Sequence, residues 1–147
     1  MSKSLNLLGM AKKAGLLAVG GEAVSTATRH GKALLVITAN DASEGAVRRA
    51  RINAETGGAV YIGVPFTRFE LGTTAGRGSP GTIAFLDAGL AATFAKGLAH
   101  ENPEQYGEAV GKLEERAATI REKNLRRSQT QKTRSPTGKK PPRRKAR

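Results

Sequence analysis

The sequence predicts an α/β protein of three-layer type, in which helices cover both faces of a sheet of four short strands. Helical and strand patterns alternate along the first hundred residues, and each strand pattern is short. The run at residues 33–39 (ALLVITA) is continuously apolar and β-branched, which is typical of a strand that is covered on both sides. Alternation of this kind places helices on both faces of one sheet.

Capping residues and glycines mark the ends of the predicted helices. Ser4 is placed to cap the first helix, and Asp87 to cap the last helix of the core. His30-Gly31 ends the second helix, because glycine commonly follows the last helical residue. The predicted elements are, in order, helix 4–14, strand 17–19, helix 22–30, strand 33–39, helix 43–55, strand 59–64, helix 67–74, strand 83–86 and helix 88–99.

Apolar residues at helical spacing are predicted to form one modest core. Leu90, Phe94 and Leu98 recur at i, i+4 and i+8 on the last core helix. Phe66, just before the short fourth helix, and Phe69 and Leu71 within it are expected to join them. On the third helix, the arginines at 48, 49 and 51 are interpreted as a solvated face rather than as a binding face.

The chain after residue 100 is predicted to be organised differently. We expect a linker at 101–107, a helix at 108–125 and a disordered basic tail at 126–147, because the tail lacks the apolar residues a core needs. The helix has a narrow apolar stripe formed by Val110, Leu113, Ala117 and Ile120. The sequence leaves open whether this stripe docks on the core or drives dimerisation.

The charge of the chain indicates a polyanionic partner. The 147 residues include 25 Lys and Arg against 12 Asp and Glu, a formal charge of +13. From Lys123 to Arg147 there are 11 basic residues and no acid. Nucleic acid and acidic membrane surfaces are the partners that such a balance suits.

Signatures of enzymes, metal sites and membrane spans are scarce. The GxGxxG match at 76–81 follows a helix and leads into a strand, whereas a dinucleotide fingerprint follows a strand and opens a helix. The chain has no cysteine, and His30 and His100 have no neighbouring ligand pattern. No apolar run approaches the length of a membrane span. We therefore expect a monomeric cytoplasmic protein with no catalytic residues, no cofactor and no metal.

Two segments are the predicted contact points for RNA. The second helix begins beside Gly20-Gly21, and a helix N-terminus presents free N–H groups that suit an anion. Glu22 lies in its first turn, where the helix dipole favours a carboxylate. The glycine-rich loop at 75–82 offers further N–H groups and one arginine for a phosphate or a base. An ordinary surface turn explains the composition of this loop equally well.

Five motifs together resemble a known RNA-binding family. They are LNLLGMAKKAG (5–15), VGGEAV (19–24), GKALLVITANDAS (31–43), ELG (70–72) and FLDAGLA (85–91). In this order and spacing they resemble the YlxQ-type bacterial members of the ribosomal protein family that binds kink-turn RNA. The resemblance covers about residues 4–100 and implies an α-β-α sandwich with a mixed four-stranded sheet. It also implies RNA contact through the start of the second helix and the loop before the last strand.

These two segments and four basic positions make up the predicted RNA-contact set. The helix start supplies Gly20, Gly21, Glu22, Ser25 and Thr26. The loop and the strand that follows it supply Arg77, Gly78, Ser79, Pro80, Thr82 and Ile83. The phosphate contacts are Lys12, Lys13, Arg29 and Lys32.

The chain departs from the family pattern at the start of the second helix. Kink-turn readers of this family carry Gly-x-Asn-Glu-x-x-Lys there, and this chain has Glu22, Ala23 and Thr26 at the Asn, Glu and Lys positions. Leu16 stands where YlxQ-type members usually have a basic residue. The phosphate-binding lysine is therefore missing or displaced. Glu22 can accept hydrogen bonds from a guanine edge, but its charge repels phosphate.

The sequence thus predicts a non-enzymatic RNA-binding protein that recognises structured, ribosomal or kink-turn RNA in association with ribosomes or translation factors. The basic tail would add affinity without sequence preference, because phosphate contacts carry no sequence information. The alternative is a protein-interaction module of the same fold that has lost specific RNA reading. An RNA-modifying enzyme is a weaker reading, because no catalytic domain is recognisable.

Overall fold

The structure is a computed structural model that describes residues 3–75 and 78–134, without the side chains of residues 129–134. Ten elements follow one another in the described residues. They are α1 (Lys3–Lys13), β1 (Leu17–Val19), α2 (Gly21–Arg29), β2 (Leu35–Thr38), α3 (Glu44–Gly57), β3 (Val60–Gly63), α4 (Arg68–Ala75), β4 (Thr82–Phe85), α5 (Ala88–Glu101) and α6 (Pro103–Arg134).

The four strands form one mixed sheet in the order β1-β4-β2-β3. Strands β2 and β3 are parallel, and β4 lies antiparallel to both β1 and β2. Strands β1, β2 and β3 therefore point the same way, and β4 alone points the other way. This arrangement confirms the α/β class and the mixed four-stranded sheet.

Helices cover both faces of this sheet. Successive side chains of β2 point to opposite faces, so Leu35 and Ile37 enter one core and Val36 enters the other. The core on the Val36 face is packed by α2 and α3, which bury Val24 and Ala50. The larger core on the other face is packed by helices α1, α4, α5 and α6. The predicted three-layer arrangement is confirmed.

Two predicted caps have different outcomes. The Asp87 carboxylate accepts a hydrogen bond from the Leu90 backbone N–H at 2.9 Å, which confirms it as the cap of α5. Ser4 does not cap α1, because the helix already begins at Lys3 and Ser4 is buried inside it. A Cβ added at Gly97 would lie 2.6 Å from the Ser4 hydroxyl oxygen. Ser4 therefore lies where α1 and α5 cross at close distance.

Phe69 is the clearest correction to the predicted core. Its side chain is 73% exposed, although Phe66 and Leu71 are buried as expected. Helix α4 turns Leu71 and Ala75 inward, four residues apart, and this rotation leaves Phe69 on the solvent face.

The region after residue 100 also differs from the predicted organisation. Only Asn102 separates α5 from α6, so the expected linker at 101–107 is almost entirely helical. Helix α6 begins at Pro103 rather than at 108 and continues to Arg134. Residues 126–134 of the predicted disordered tail are therefore helical, and residues 135–147 lie outside the described part of the chain.

The first half of α6 is part of the main core. Ala109 and Leu113 are buried, and the Tyr106 hydroxyl donates a hydrogen bond to the Gly63 carbonyl oxygen at 3.0 Å. Burial raises the pKa of the Tyr106 phenol above its ordinary value. The first part of the apolar stripe, Val110 and Leu113, thus docks on its own chain.

The strands begin and end at two opposite ends of the sheet, which we call the helix-start edge and the helix-end edge. At the helix-start edge, strands β1, β2 and β3 end, helices α2, α3 and α4 begin, and the loop at 78–81 enters β4. At the helix-end edge, helices α1, α2 and α3 end and β1, β2 and β3 begin. Ligands of open α/β sheets commonly bind outside the carboxyl ends of parallel strands, which here is the helix-start edge.

The contact between α2 and α3 makes a testable prediction about Gly57. A Cβ at this position would lie 2.5 Å from the Thr28 carbonyl oxygen, so the two helices would have to move apart. We expect Gly57→Ala to lower the free energy of unfolding by about 1–3 kcal/mol, measured by urea denaturation. Gly45→Ala on the same helix is the control, because its Cβ would meet only the Arg49 guanidinium at 3.5 Å. That variant should be neutral or stabilising by up to about 1 kcal/mol, and a comparable loss in both would contradict the prediction.

Candidate nucleic-acid interface

A cleft of about 180 Å³ opens at the helix-start edge between α2, α3 and the loop that enters β4. It brings together the two segments that the sequence singled out, the start of α2 and the loop before the last strand. Its polar and glycine lining consists of Gly21, Ser25, Ser43, Arg49, Asn53, Arg68, Ser79, Gly81 and Thr82.

The start of α2 supplies one wall of this cleft. Gly20 has φ +96°, a conformation that favours glycine, and its N–H donates to the Thr82 carbonyl oxygen at 2.9 Å. This bond ties the turn before α2 to the beginning of β4. Gly20 has no side chain to cap the helix, and Gly21 and Glu22 are exposed. The start of α2 therefore lines the cleft at Gly21, and its first N–H groups have no side-chain cap.

The starts of the two neighbouring helices are capped. Ser43 Oγ accepts a hydrogen bond from the Ala46 N–H at 3.1 Å at the start of α3. Thr67 and Glu70 form a reciprocal capping box at the start of α4, with bonds of 3.1 and 2.9 Å. Among these three helix starts, α2 is thus the one best able to accept an anion.

Helix α3 supplies the opposite wall. The Asn53 side-chain amide donates to Ser25 Oγ at 2.8 Å, a bond that fixes α3 against α2. Arg49 lies one turn before Asn53 on the same face and is exposed at the cleft. The sequence assigned Arg49 to a solvated face and did not single out Asn53, because neither residue reveals which side of α3 meets α2.

Arg68 is a second cation that the sequence did not single out. Its backbone N–H donates to Asp41 Oδ1 at 2.8 Å, and its guanidinium Nε lies 3.8 Å from the same oxygen. The aliphatic part of Arg68 packs beside Gly81, where a Cβ would lie 3.7 Å from Arg68 Cδ. Asp41 therefore holds Arg68 next to the loop that enters β4.

The loop residues of the predicted contact set fall into two groups. Gly78 and Ser79 are exposed and Pro80 is half-buried. Thr82 and Ile83 belong to β4, which begins one residue earlier than predicted, and their side chains are 6% and 0% exposed. The buried side chain of Ile83 is therefore not placed to contact RNA, and the carbonyl oxygen of Thr82 accepts the Gly20 N–H. Arg77 lies outside the described residues.

The four basic positions of the predicted set lie away from the cleft. Lys12 and Lys13 end α1, which leads to the start of β1. Arg29 ends α2, and Lys32 lies between α2 and the start of β2. Both strands begin beside Phe85, at the helix-end edge. Thr26 is exposed on α2, where its hydroxyl accepts a hydrogen bond from the Arg29 guanidinium at 3.3 Å. The predicted set is thus divided between the two edges.

No group of three or more His, Asp or Glu side chains in the described residues is arranged to hold a metal ion. In the same part of the chain, no helix combines the length and the apolar character needed to cross a bilayer.

The fold and the cleft define an α/β-sandwich protein with a cationic cleft beside an uncapped helix start. No protein-family model matches the chain, and no curated protein matches it significantly in sequence. Among solved structures, the chain is similar to a protein of unknown function from Bacillus halodurans C, with 28% identity and a TM-score of 0.61 over 67% of this chain and 98% of that one. It is also similar to the Giardia lamblia 15.5kD RNA binding protein, with 20% identity and a TM-score of 0.52 over 65% of this chain and 82% of that one.

Proposed function

We propose that this protein binds structured RNA through the cleft at the helix-start edge and does not act as an enzyme. The observation that carries the proposal is the meeting of the uncapped start of α2 with the 78–82 loop in one cleft, flanked by Arg49 and Arg68. The similarity in fold to an RNA-binding protein supports the same class of ligand.

The lining of the cleft suits an RNA segment that departs from a regular helix. A phosphate can accept hydrogen bonds from the first N–H groups of α2. Arginine guanidinium groups bind phosphates or the guanine edge in bidentate fashion, and Asn53 offers amide hydrogen bonds to a base. Bases become accessible to such groups mainly in loops, bulges and kinks, because the deep groove of an RNA duplex excludes side chains.

More specifically, we propose that the RNA ligand is a kink-turn. We also propose that the protein binds it as a monomer in the cytoplasm, in association with ribosomes or translation factors. The motifs that resemble the kink-turn-binding ribosomal protein family support it. Thr26 replaces the lysine of that family at the helix start. Arg49 and Arg68 supply cations beside the same helix start from α3 and α4, so we propose that they take over the phosphate contact.

The test is equilibrium binding of the full chain to a kink-turn RNA and to the same RNA with its G·A pairs disrupted. We expect at least about tenfold tighter binding to the intact kink-turn, with a ratio that stays constant from 50 to 200 mM salt, because base contacts are less salt-dependent than phosphate contacts. The full chain is required, because Tyr106 and Leu113 belong to the core.

Each other outcome of this experiment contradicts a defined part of the proposal. Equal binding to the two RNAs would exclude kink-turn reading and leave RNA binding of another kind. Absence of binding to both RNAs, and to total ribosomal RNA, would contradict the RNA function and favour a protein-interaction module of this fold.

A further inference from the structure

Helix α6 crosses from one edge of the sheet to the other and continues beyond it. Near its start, the Tyr106 hydroxyl binds the Gly63 carbonyl oxygen where β3 ends. Three turns later, the Arg116 guanidinium donates to the Gly58 carbonyl oxygen at 2.5 Å, just before β3 begins. At 1.5 Å per residue, residues 117–134 extend roughly 27 Å past this contact. We call residues 117–134 the projecting segment.

The projecting segment is cationic wherever its side chains are described. Between residues 117 and 128 it carries four basic side chains and one acid, and all five are exposed. The acid is Glu122, which pairs with Arg126 at 2.7 Å. The remaining cations are Arg121, Lys123 and Arg127.

The projecting segment leaves the protein at the edge where other exposed cations gather. Lys12 and Lys13 end α1, Arg29 ends α2 and Lys32 follows it, all at the helix-end edge. The acids described near that edge include Glu55, in the last turn of α3, and Asp87, which is engaged in capping α5. At the helix-start edge, by contrast, the acids Glu22, Asp41, Glu44 and Glu70 belong to the same helix starts and turns as the cations Arg49 and Arg68, and Asp41 lies beside Arg68.

We propose that the projecting segment and the basic positions of the helix-end edge form one surface that binds the phosphate backbone of RNA. This inference rests on the proposed function and adds a second contact area, on the far side of the sheet from the cleft. Compensation of helix dipoles accounts for Lys12, Lys13 and Arg29, which lie in last turns. It does not account for Arg121 and Lys123, which lie in the middle of α6 without a core to pack against.

The composition of the segment favours RNA over a membrane surface. A helix that lies on a bilayer needs a continuous apolar face opposite its charges. Between residues 117 and 128 the large apolar side chains are Ile120, which is half-buried, and Leu125, which is 61% exposed. One exposed leucine does not make such a face.

The test measures how the affinity of the full chain for RNA depends on salt. The variant Arg121→Gln/Lys123→Gln/Arg127→Gln removes three cations of the projecting segment. The matched control Lys3→Gln/Arg48→Gln/Lys112→Gln removes three exposed cations elsewhere. Both are titrated against the kink-turn RNA, its disrupted counterpart, and vesicles that contain phosphatidylserine.

We expect the segment variant to make the slope of log affinity against log salt less steep by about 2, because each phosphate contact contributes roughly 0.7–0.9. Its affinity should fall on the order of tenfold at 100 mM salt, by the same factor for both RNAs, so that their ratio is unchanged. The control should change the slope by less than about 0.5.

An unchanged slope in the segment variant, or an equal change in the control, would overturn the inference and leave the proposed function intact. Loss of vesicle binding with unchanged RNA binding would assign the surface to membranes instead. Failure of the unmodified chain to bind RNA would contradict the proposed function itself. If circular dichroism shows that the triple variant loses helix, Lys123→Gln/Arg127→Gln replaces it, with an expected change in slope of about 1.5.

Discussion

Replacing Leu113 with alanine is expected to lower the free energy of unfolding by about 2–5 kcal/mol, the range for removing a fully buried leucine side chain. Leu113 is 0% exposed and belongs to the same core cluster as Phe94 of α5. Its removal would leave a cavity between α6 and the core that the surrounding helices can fill only in part. Urea denaturation followed by circular dichroism measures the effect.

Leu125→Ala is the matched control, because it makes the same chemical change on the same helix where the side chain is 61% exposed. We expect that variant to stay within about 0.5 kcal/mol of the unmodified protein. If the two variants were equally stable, α6 would not be part of the cooperative core. Its apolar stripe would then be available for dimerisation, the alternative that the sequence left open.

The start of α6 carries a local signal that is compatible with both a linker and a helix start. Asn102-Pro103 was interpreted as a linker, although asparagine before proline is also a typical helix start. In the structure, Asn102 Oδ1 accepts from the Gln105 N–H at 3.3 Å and Pro103 is the first residue of the helix. The five extra residues include Tyr106, whose bond to Gly63 fixes the helix against β3. That contact joins residues 43 positions apart, so local patterns could not predict it.

The elements of the first hundred residues were predictable because their signals are local. Strand β1 was predicted with its observed bounds, and Asp87 was correctly identified as a cap. The sheet order required more than local signals, since β4 inserts between β1 and β2 by pairings that span the chain. The mixed sheet was expected only through the resemblance to a known family.

The candidate site was predictable in its backbone but not in its side chains. Glycine pairs and loops mark places where backbone N–H groups are free, so Gly20-Gly21 and the loop before β4 were identified. Arg49 and Asn53 were missed, because only the contact of Asn53 with Ser25, 28 residues away, shows which face of α3 meets α2. Lys12 was predicted as a phosphate contact of the same RNA-contact set, although the end of α1 leads to the opposite edge of the sheet from the start of α2.

Reversing the charge of both cleft arginines, in Arg49→Glu/Arg68→Glu, is expected to lower the affinity for structured RNA on the order of 100-fold at 100 mM salt. Under the proposed function, each substitution would remove a charge-assisted hydrogen bond to an RNA phosphate and add a carboxylate that repels it. The preference for the intact kink-turn should fall as well, because the cleft would no longer hold the RNA in register. Fluorescence anisotropy with the intact and disrupted RNAs measures both effects.

The control Arg48→Glu/Arg51→Glu changes the net charge by the same amount on α3, outside the cleft lining. Arg51 rests over the Tyr61 ring at 5.4 Å, and Arg48 is exposed. We expect this variant to lose less than about fivefold in affinity, since neither guanidinium lines the cleft and exposed charges outside it are partly screened by salt. Equal losses in the two variants would show that net charge alone governs binding. The cleft would then have no role in recognition, and the cations of the helix-end edge would remain as the RNA-binding surface.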